Sequence, residues 1–279
     1  MIGAPAIRWV IALKSEAKPI IEKLDMVPSK KGIDFPVYRD KKGYHWLIIS
    51  GIGRARSATA TNYLQQESDA PPWSAWINIG IAGYGYDSYG VLYLVDKITL
   101  EKSNLVAYPG VAFSTNLPRA GLLTVNKPKM DYSEPNLIDM EGYAFYEAVN
   151  KFSCRELLLL LKVVSDGPKS NVKELTSGKI SKLISGNIEN ILSLVVQLED
   201  FSKLEFKRLV PPDICHKIKE KWHFTVSQEH QLSILVRRWT SLFKENALFS
   251  EIKNQKSSKS VISYLSKVLD EYEVDWGQS

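Results

Sequence analysis

Trp76-Ile77-Asn78-Ile79-Gly80-Ile81-Ala82-Gly83 is apolar almost without a break and carries its glycines at the end. Trp76 to Gly80 reads as a buried strand. The pattern repeats on both sides of it. Ile7 to Leu13 is a second such strand, and Ser15 opens a helix that sets Ile20, Ile21 and Leu24 on one face. Trp46 to Ser50 is a strand that runs into Gly51-Ile52-Gly53 and then a helix from about Arg54 to Gln66. Val91 to Val95 reads as a strand, Ile138 to Val149 as a helix, and Leu157 to Val164 as a further strand. Strands alternating with helices predict an α/β fold on a mostly parallel sheet. Ligands of such sheets bind beyond the carboxyl ends of the strands. Gly51 to Gly53, Gly80 to Gly83 and Ser165 to Gly167 all stand at those ends.

The character changes near residue 200. From Phe201 onward no buried strand is predicted, and Pro211-Pro212 marks a break. Three amphipathic helical patterns follow: Ile214 to Trp222, Gln228 to Phe243 and Val261 to Tyr272. This divides the chain into residues 1–204, which hold the α/β pattern, and residues 205–279, an α-helical C-terminal extension. The apolar faces of the extension have to be covered, and a helical subdomain packed on itself does that most simply. Lys253 to Ser260 is the one polar stretch expected to be disordered.

With 44% hydrophobic and 24% charged residues, the chain can build an ordinary globular core. Cys154 and Cys215 are too few for a disulfide framework and read as reduced thiols. Ile7 to Leu13 lacks a basic leader and a cleavage site, and Leu157 to Leu161 is far too short to span a bilayer, so a cytoplasmic protein without a membrane partner is expected. A net charge of +5 does not implicate nucleic acid, and Arg237-Arg238 beside Trp239 reads as a solvated face beside a core residue. His216, His223 and His230 lie seven apart, but Phe224 to Ser227 looks like a new helix start. No carboxylate or Cys completes a ligand set, so no metal is expected.

Four segments, in order, carry a more specific signal: Ala12-Leu13-Lys14-Ser15-Glu16, Ser50-Gly51-Ile52-Gly53-Arg54, Ile77 to Gly83, and Asp139-Met140-Glu141-Gly142 followed about 25 residues later by Val164-Ser165-Asp166. Together they resemble the purine nucleoside phosphorylase and methylthioadenosine/adenosylhomocysteine nucleosidase superfamily, over roughly residues 7 to 200. The lone Gly-x-Gly is weak; Met-Glu-Gly followed by a strand and Ser-Asp is much more specific. The resemblance implies a three-layer α/β/α sandwich with a mixed, mostly parallel central sheet, here with a C-terminal α-helical appendage. It also implies a small-molecule nucleoside as substrate and a homo-oligomer, such as a dimer. The extension is left as a surface open to a protein partner.

The resemblance assigns roles that the chemistry supports. Glycosidic cleavage passes through an oxocarbenium-like sugar, and the base must leave without full negative charge. Asp166 matches the family's acid, which delivers or shares a proton at the purine N7; taken alone it would read as a helix cap. Glu141 matches the glutamate that accepts hydrogen bonds from the 2′- and 3′-hydroxyls, and Met140 the apolar floor under the sugar, against the plainer readings of a surface Glu and a core Met. Glu16 matches the glutamate that activates water in nucleosidases; the competing reading is a first-turn glutamate favoured by the helix dipole. Lys162 stands where nucleosidases carry an arginine near the water. Ser165, Ala82 and Gly83 are weaker candidates for substrate contact.

Two departures stand out. Ile81 replaces the hydroxyl residue of the family's Gly-Ser-Ala-Gly, and the stretch between Gly83 and Met140 is shorter than usual. A buried phosphate needs donors, so Ile81 and the missing arginine loop disfavour phosphorolysis. Leu123 to Pro128 resembles the strand and turn beside the base, and Tyr84, Tyr86, Tyr108 and Phe113 are candidates for stacking on it, though such aromatics more often only pack. The reading is an N-glycoside hydrolase of purine or 5′-modified purine nucleosides that needs no cofactor. The alternatives are a phosphorylase with phosphate as co-substrate, and an inactive nucleoside-binding or partner subunit.

Overall fold

The computed structural model of the protein describes residues 6–29, 34–86, 88–110, 113–129, 131–132, 135–168, 175–243 and 245–272. They divide into two compact units, residues 1–207 and 208–279.

The first unit is mixed α/β, built on one ten-stranded sheet. Its strands are β1 (Ile7–Ile11), β2 (Val27–Pro28), β3 (Val37–Arg39), β4 (His45–Ile49), β5 (Ala75–Gly83), β6 (Leu92–Leu100), β7 (Val106–Ala107), β8 (Arg119–Thr124), β9 (Leu137–Asp139) and β10 (Leu158–Asp166). Its helices are α1 (Lys14–Lys23), α2 (Arg54–Glu67), α3 (Gly142–Val149), α4 (Ser177–Gly186) and α5 (Ile188–Leu209). β4, β1, β5 and β10 lie side by side and parallel. β10 then pairs antiparallel with β6, β6 and β8 pair in parallel, β8 and β9 likewise, and β9 returns antiparallel to β5. The pairings β5–β10–β6–β8–β9–β5 therefore close a ring at one side of the sheet. The longest ladders, β5–β10 and β6–β8, are parallel.

Successive residues of a strand point to opposite faces, and the core divides accordingly. Trp9 and Ile11 of β1, Ile77 and Ile79 of β5, and Leu159 and Leu161 of β10 share one cluster with Ile20 of α1, Ile184 of α4 and Leu194 of α5. Val10, Trp76, Leu158 and Leu160, their neighbours in sequence, share another with Leu64 of α2 and Phe145 of α3. Strands covered on both faces read as continuous apolar runs instead of alternating ones, which is why these segments are so plain in the sequence.

One expected element is divided. Ile138 to Val149 reads as a single helix, but Leu137–Asp139 is strand β9 and the helix begins only at Gly142. Ile138 is paired with Leu123 of β8 and with Gly83 of β5. The Asp139 carboxylate accepts from the Gly142 N–H at 2.8 Å, which starts the helix there. Met140 and Glu141 consequently sit in the strand-to-helix turn.

The second unit is helical: α6 (Ile214–Lys221), α7 (Val226–Leu242), α8 (Glu245–Ile252) and α9 (Ser258–Asp270). It has its own core, with Ile218, Trp222, Val236, Trp239, Ile252 and Leu265 among its buried residues. Thr225 caps α7 in a reciprocal pair with Gln228. Part of the stretch expected to be disordered is the start of α9, where Ser257 accepts from the Ser260 N–H. A serine-rich run reads as polar linker, yet serine is also a good helix cap. His216 lies on α6, His223 in the connector and His230 on α7.

Candidate functional site

A cavity of about 210 Å³ opens where β1, β5 and β10 end. Glu16, Glu141, Met140, Asp166, Ser165, Ala82 and Gly83 all line it. Asp139 lines it too, so three distant segments deliver four carboxylates to one space. Lys162 does not line it; the side chain lies buried in β10.

Glu16 stands in the first turn of α1 and is only 2% exposed. One carboxylate oxygen accepts from the Leu13 N–H at 2.8 Å, as a capping glutamate would. The other accepts from the Ile81 N–H at 2.8 Å, tying the helix start to β5. A Cβ at Gly80 would lie 2.9 Å from Glu16 Oε1, so this approach needs the glycine. Burial raises the Glu16 pKa to about 7, Glu141 adds to that, and the two N–H donors and Lys162 act against it.

Lys162 donates to Asp139 Oδ2 at 2.8 Å and to Asn78 Oδ1 at 2.8 Å. Asn78 is held in turn by the Val10 carbonyl, and Asp139 Oδ1 accepts from Thr124. Burial pulls the Lys162 pKa down, but Asp139, Glu141 and Glu16 together outweigh it, and the net direction is up. One ammonium cannot neutralise three carboxylates in a dry site. Glu141, like Glu16, is pushed up, first by burial and then by Asp139.

Glu141 precedes α3, and its Oε1 accepts from the Gly53 N–H at 2.6 Å. Gly51 and Gly53 have φ of +77° and +105°, in the range that L side chains avoid. That backbone turn aims the Gly53 N–H at the carboxylate, which gives Gly-Ile-Gly a structural reason. Met140 is half-buried against Leu123, Val125 and Ile138.

At the other end of the cavity Asp166 closes β10. The β5–β10 register shifts between Val164 and Asp166, and a break of this kind re-aims the residues beside it. Ser165 donates to Asp166 Oδ1 at 2.5 Å, and its oxygen lies 3.3 Å from the Ala82 carbonyl. Tyr132 donates to Asp166 Oδ2 at 2.6 Å. A Cβ on Gly83 would lie 2.8 Å from both Asp166 Oδ2 and Tyr132 Cε1.

No motif assigns a role to Tyr132, Asp139 or Asn78, although the last two lie within the four ordered segments. A spare buried Asn inside an apolar strand was a signal for Asn78; Tyr132 carries none. Of the segment expected beside the base, Val125 and Pro128 line the cavity. Tyr84, Tyr86, Tyr108 and Phe113 do not: Tyr84 packs on Tyr86 and Tyr93, Phe113 packs on Phe201, and Tyr108 is exposed. Among the described residues no helix is long and apolar enough to cross a membrane, and no group of His, Cys, Asp and Glu is arranged to hold a metal ion.

No family model matches the chain, and no curated protein matches it by sequence. Solved structures do. The 5′-methylthioadenosine nucleosidase of Arabidopsis thaliana in apo form is similar with a TM-score of 0.57 at 17% identity, over 69% of this chain and 96% of that one. The 5′-methylthioadenosine/S-adenosylhomocysteine nucleosidase of Helicobacter pylori, with butyl-thio-DADMe-Immucillin-A, gives 0.56 at 13% identity over 69% and 98%. Futalosine hydrolase of Helicobacter pylori strain 26695 gives 0.56 at 13% over 70% and 98%. At such identities the likeness shows the fold, which this chain shares with them.

Proposed function

We propose that the protein is a nucleosidase that hydrolyses the base–ribose bond of a purine nucleoside or a 5′-modified purine nucleoside. The observation that carries this reading is the convergence of Glu16, Glu141 and Asp166 on one cavity from three separate segments. The names of the structural neighbours agree with it. The two helix-covered faces of the sheet fit a three-layer α/β/α sandwich with this site at its carboxyl edge.

In this reading Asp166 gives its proton to N7 as the glycosidic bond breaks, so the base leaves neutral. Glu141 accepts hydrogen bonds from the 2′- and 3′-hydroxyls and stabilises the sugar as it turns cationic. Met140 packs beneath the sugar. Water attacks the anomeric carbon, and Glu16 takes its proton. A base with a pKa of about 7 is well matched to that task near neutral pH. Lys162 acts through others: it holds Asp139 and Asn78 and moderates the charge around Glu16.

Water is preferred over phosphate as acceptor because the corner offers a phosphate little. The Ile81 N–H is taken by Glu16, and the Ile81 side chain has no donor. The test is base release from a nucleoside panel with and without phosphate. Free ribose or a 5′-modified ribose in phosphate-free buffer is expected. Strict phosphate dependence with ribose 1-phosphate as product would establish a phosphorylase instead.

A further inference from the structure

We infer that Tyr132 is a positioning residue for the catalytic acid, its hydroxyl stabilising the Asp166 carboxylate that forms as the proton passes to the base. The inference rests on the nucleosidase reading and extends it to a residue that no motif singles out.

Tyr132 is seated with little tolerance. The space a Cβ would need at Gly85 is filled by the Tyr132 carbonyl oxygen, 2.5 Å away, and at Gly83 by the ring edge, 2.8 Å away. Two glycines of one segment therefore leave room for the backbone and the ring of one tyrosine. The ring also packs against the cluster of Leu123, Val125 and Ile138. This seat sets the hydroxyl 2.6 Å from Asp166 Oδ2, within the range of a strong O–H donor to a carboxylate. Burial and then the bond to Asp166 push the Tyr132 pKa up, so the phenol stays protonated through the neutral range and keeps the proton it donates to Asp166.

The consequence follows from the proton balance. Asp166 is the acid of the proposed reaction. Its proton moves to N7, the C1′–N9 bonding pair goes to the base, and Asp166 is left as an anion. Tyr132 on Oδ2 and Ser165 on Oδ1 already point hydrogens at the oxygens that gain this charge. They need not reorganise, which is what makes a preplaced donor effective in a transition state. Tyr132 keeps its own proton throughout. Each carboxyl oxygen has a second lone-pair direction, which leaves one for the base.

The test compares the full chain with Tyr132→Phe on two substrates. One is a purine nucleoside, whose base needs the proton. The other is 4-nitrophenyl β-riboside, whose leaving group departs without one. With the nucleoside, kcat should fall about 10- to 100-fold, the effect of one hydrogen bond to a charged group, with KM little changed. With the nitrophenyl substrate the rate should change by less than about threefold. Tyr132→Leu, which removes the ring too, should be no more selective than the Phe variant, and melting curves check that both fold. Equal losses on the two substrates would make Tyr132 a packing residue and overturn the inference, as would an unchanged Phe variant. A wild type that releases base from no nucleoside would instead overturn the nucleosidase reading, and this inference with it.

Discussion

The two ends of the cavity are built by different means. Around Glu16 and Glu141 the donors are backbone N–H groups of Leu13, Ile81 and Gly53, and the Lys162 ammonium paired with Asp139 is buried outside the cavity lining. Around Asp166 the donors are two side-chain hydroxyls, Ser165 and Tyr132. Backbone donors are placed by the sheet and by helix starts, so the Glu16–Glu141 end, the sugar and water end of the proposed reaction, is fixed by the fold itself. Side-chain donors can be exchanged by single substitutions without rebuilding a strand. In the proposed nucleosidase the Asp166 end, where the base would sit, is where variation is cheapest.

The largest expected effect lies at the base end. Asp166→Asn should fold normally and lose on the order of two to four decades of base release, the span of a general acid. Steady-state rates on folded protein check this, and near-normal turnover would take the acid role from Asp166. The opposite end should break in stability instead. Lys162→Met leaves Asp139, Glu141 and Glu16 without their cation, and losing one partner of a buried pair costs about 3–5 kcal/mol. Denaturant titration measures it; a loss below about 1 kcal/mol would mean the carboxylates are not charged together.

Glu16 links the two kinds of readout. Its folded pKa of about 7 lies above the ordinary 4.5. Its contribution to stability is therefore complete below about pH 4.5 and is lost as the pH rises through 7, on the order of a few kcal/mol. Hydrolysis should rise over the same interval as the base form appears. In Glu16→Gln the rate should fall roughly a hundredfold and lose its rise with pH, and less stability should be lost between pH 5 and pH 8 than in wild type. Parallel stability curves for the two proteins would refute the assignment. The smallest effect serves as a control from the second unit. Thr225→Ala removes the cap of α7 and should cost about 1 kcal/mol of stability. Turnover of nucleoside should stay unchanged; a kinetic effect would mean that the helical unit takes part in the chemistry.

The strands β1, β4, β5 and β10 were legible because each is buried on both faces and so is written as a mostly apolar run, interrupted only by single polar residues such as Arg8, Asn78 and Lys162. The glycine corners were legible for a related reason: Gly53 needs a positive φ, and Gly80 and Gly83 admit a carboxylate where a Cβ would stand. Glu16, Glu141 and Asp166 could be named only through the resemblance of the four ordered segments, since taken alone they read as a first-turn glutamate, a surface glutamate and a helix cap. The start of α3 was misplaced because three residues of strand are too few to show a period, and Ile138 takes its conformation from β8 and β5.

What the sequence by itself determined, then, is whatever depends on neighbours along the chain: the buried strands, the turns that only glycine permits, the helix caps, and the carboxylates attached to them. Only the tertiary structure decided which charges share a dry space and which hydroxyls meet them. Lys162 and Asp139 are 23 residues apart and Tyr132 and Asp166 are 34 apart, and nothing local favours either pairing. They meet because β10 lies against β5, and β9 bonds to the end of that same strand, and it is this closure that turns an ordinary lysine and an unremarked tyrosine into parts of one site.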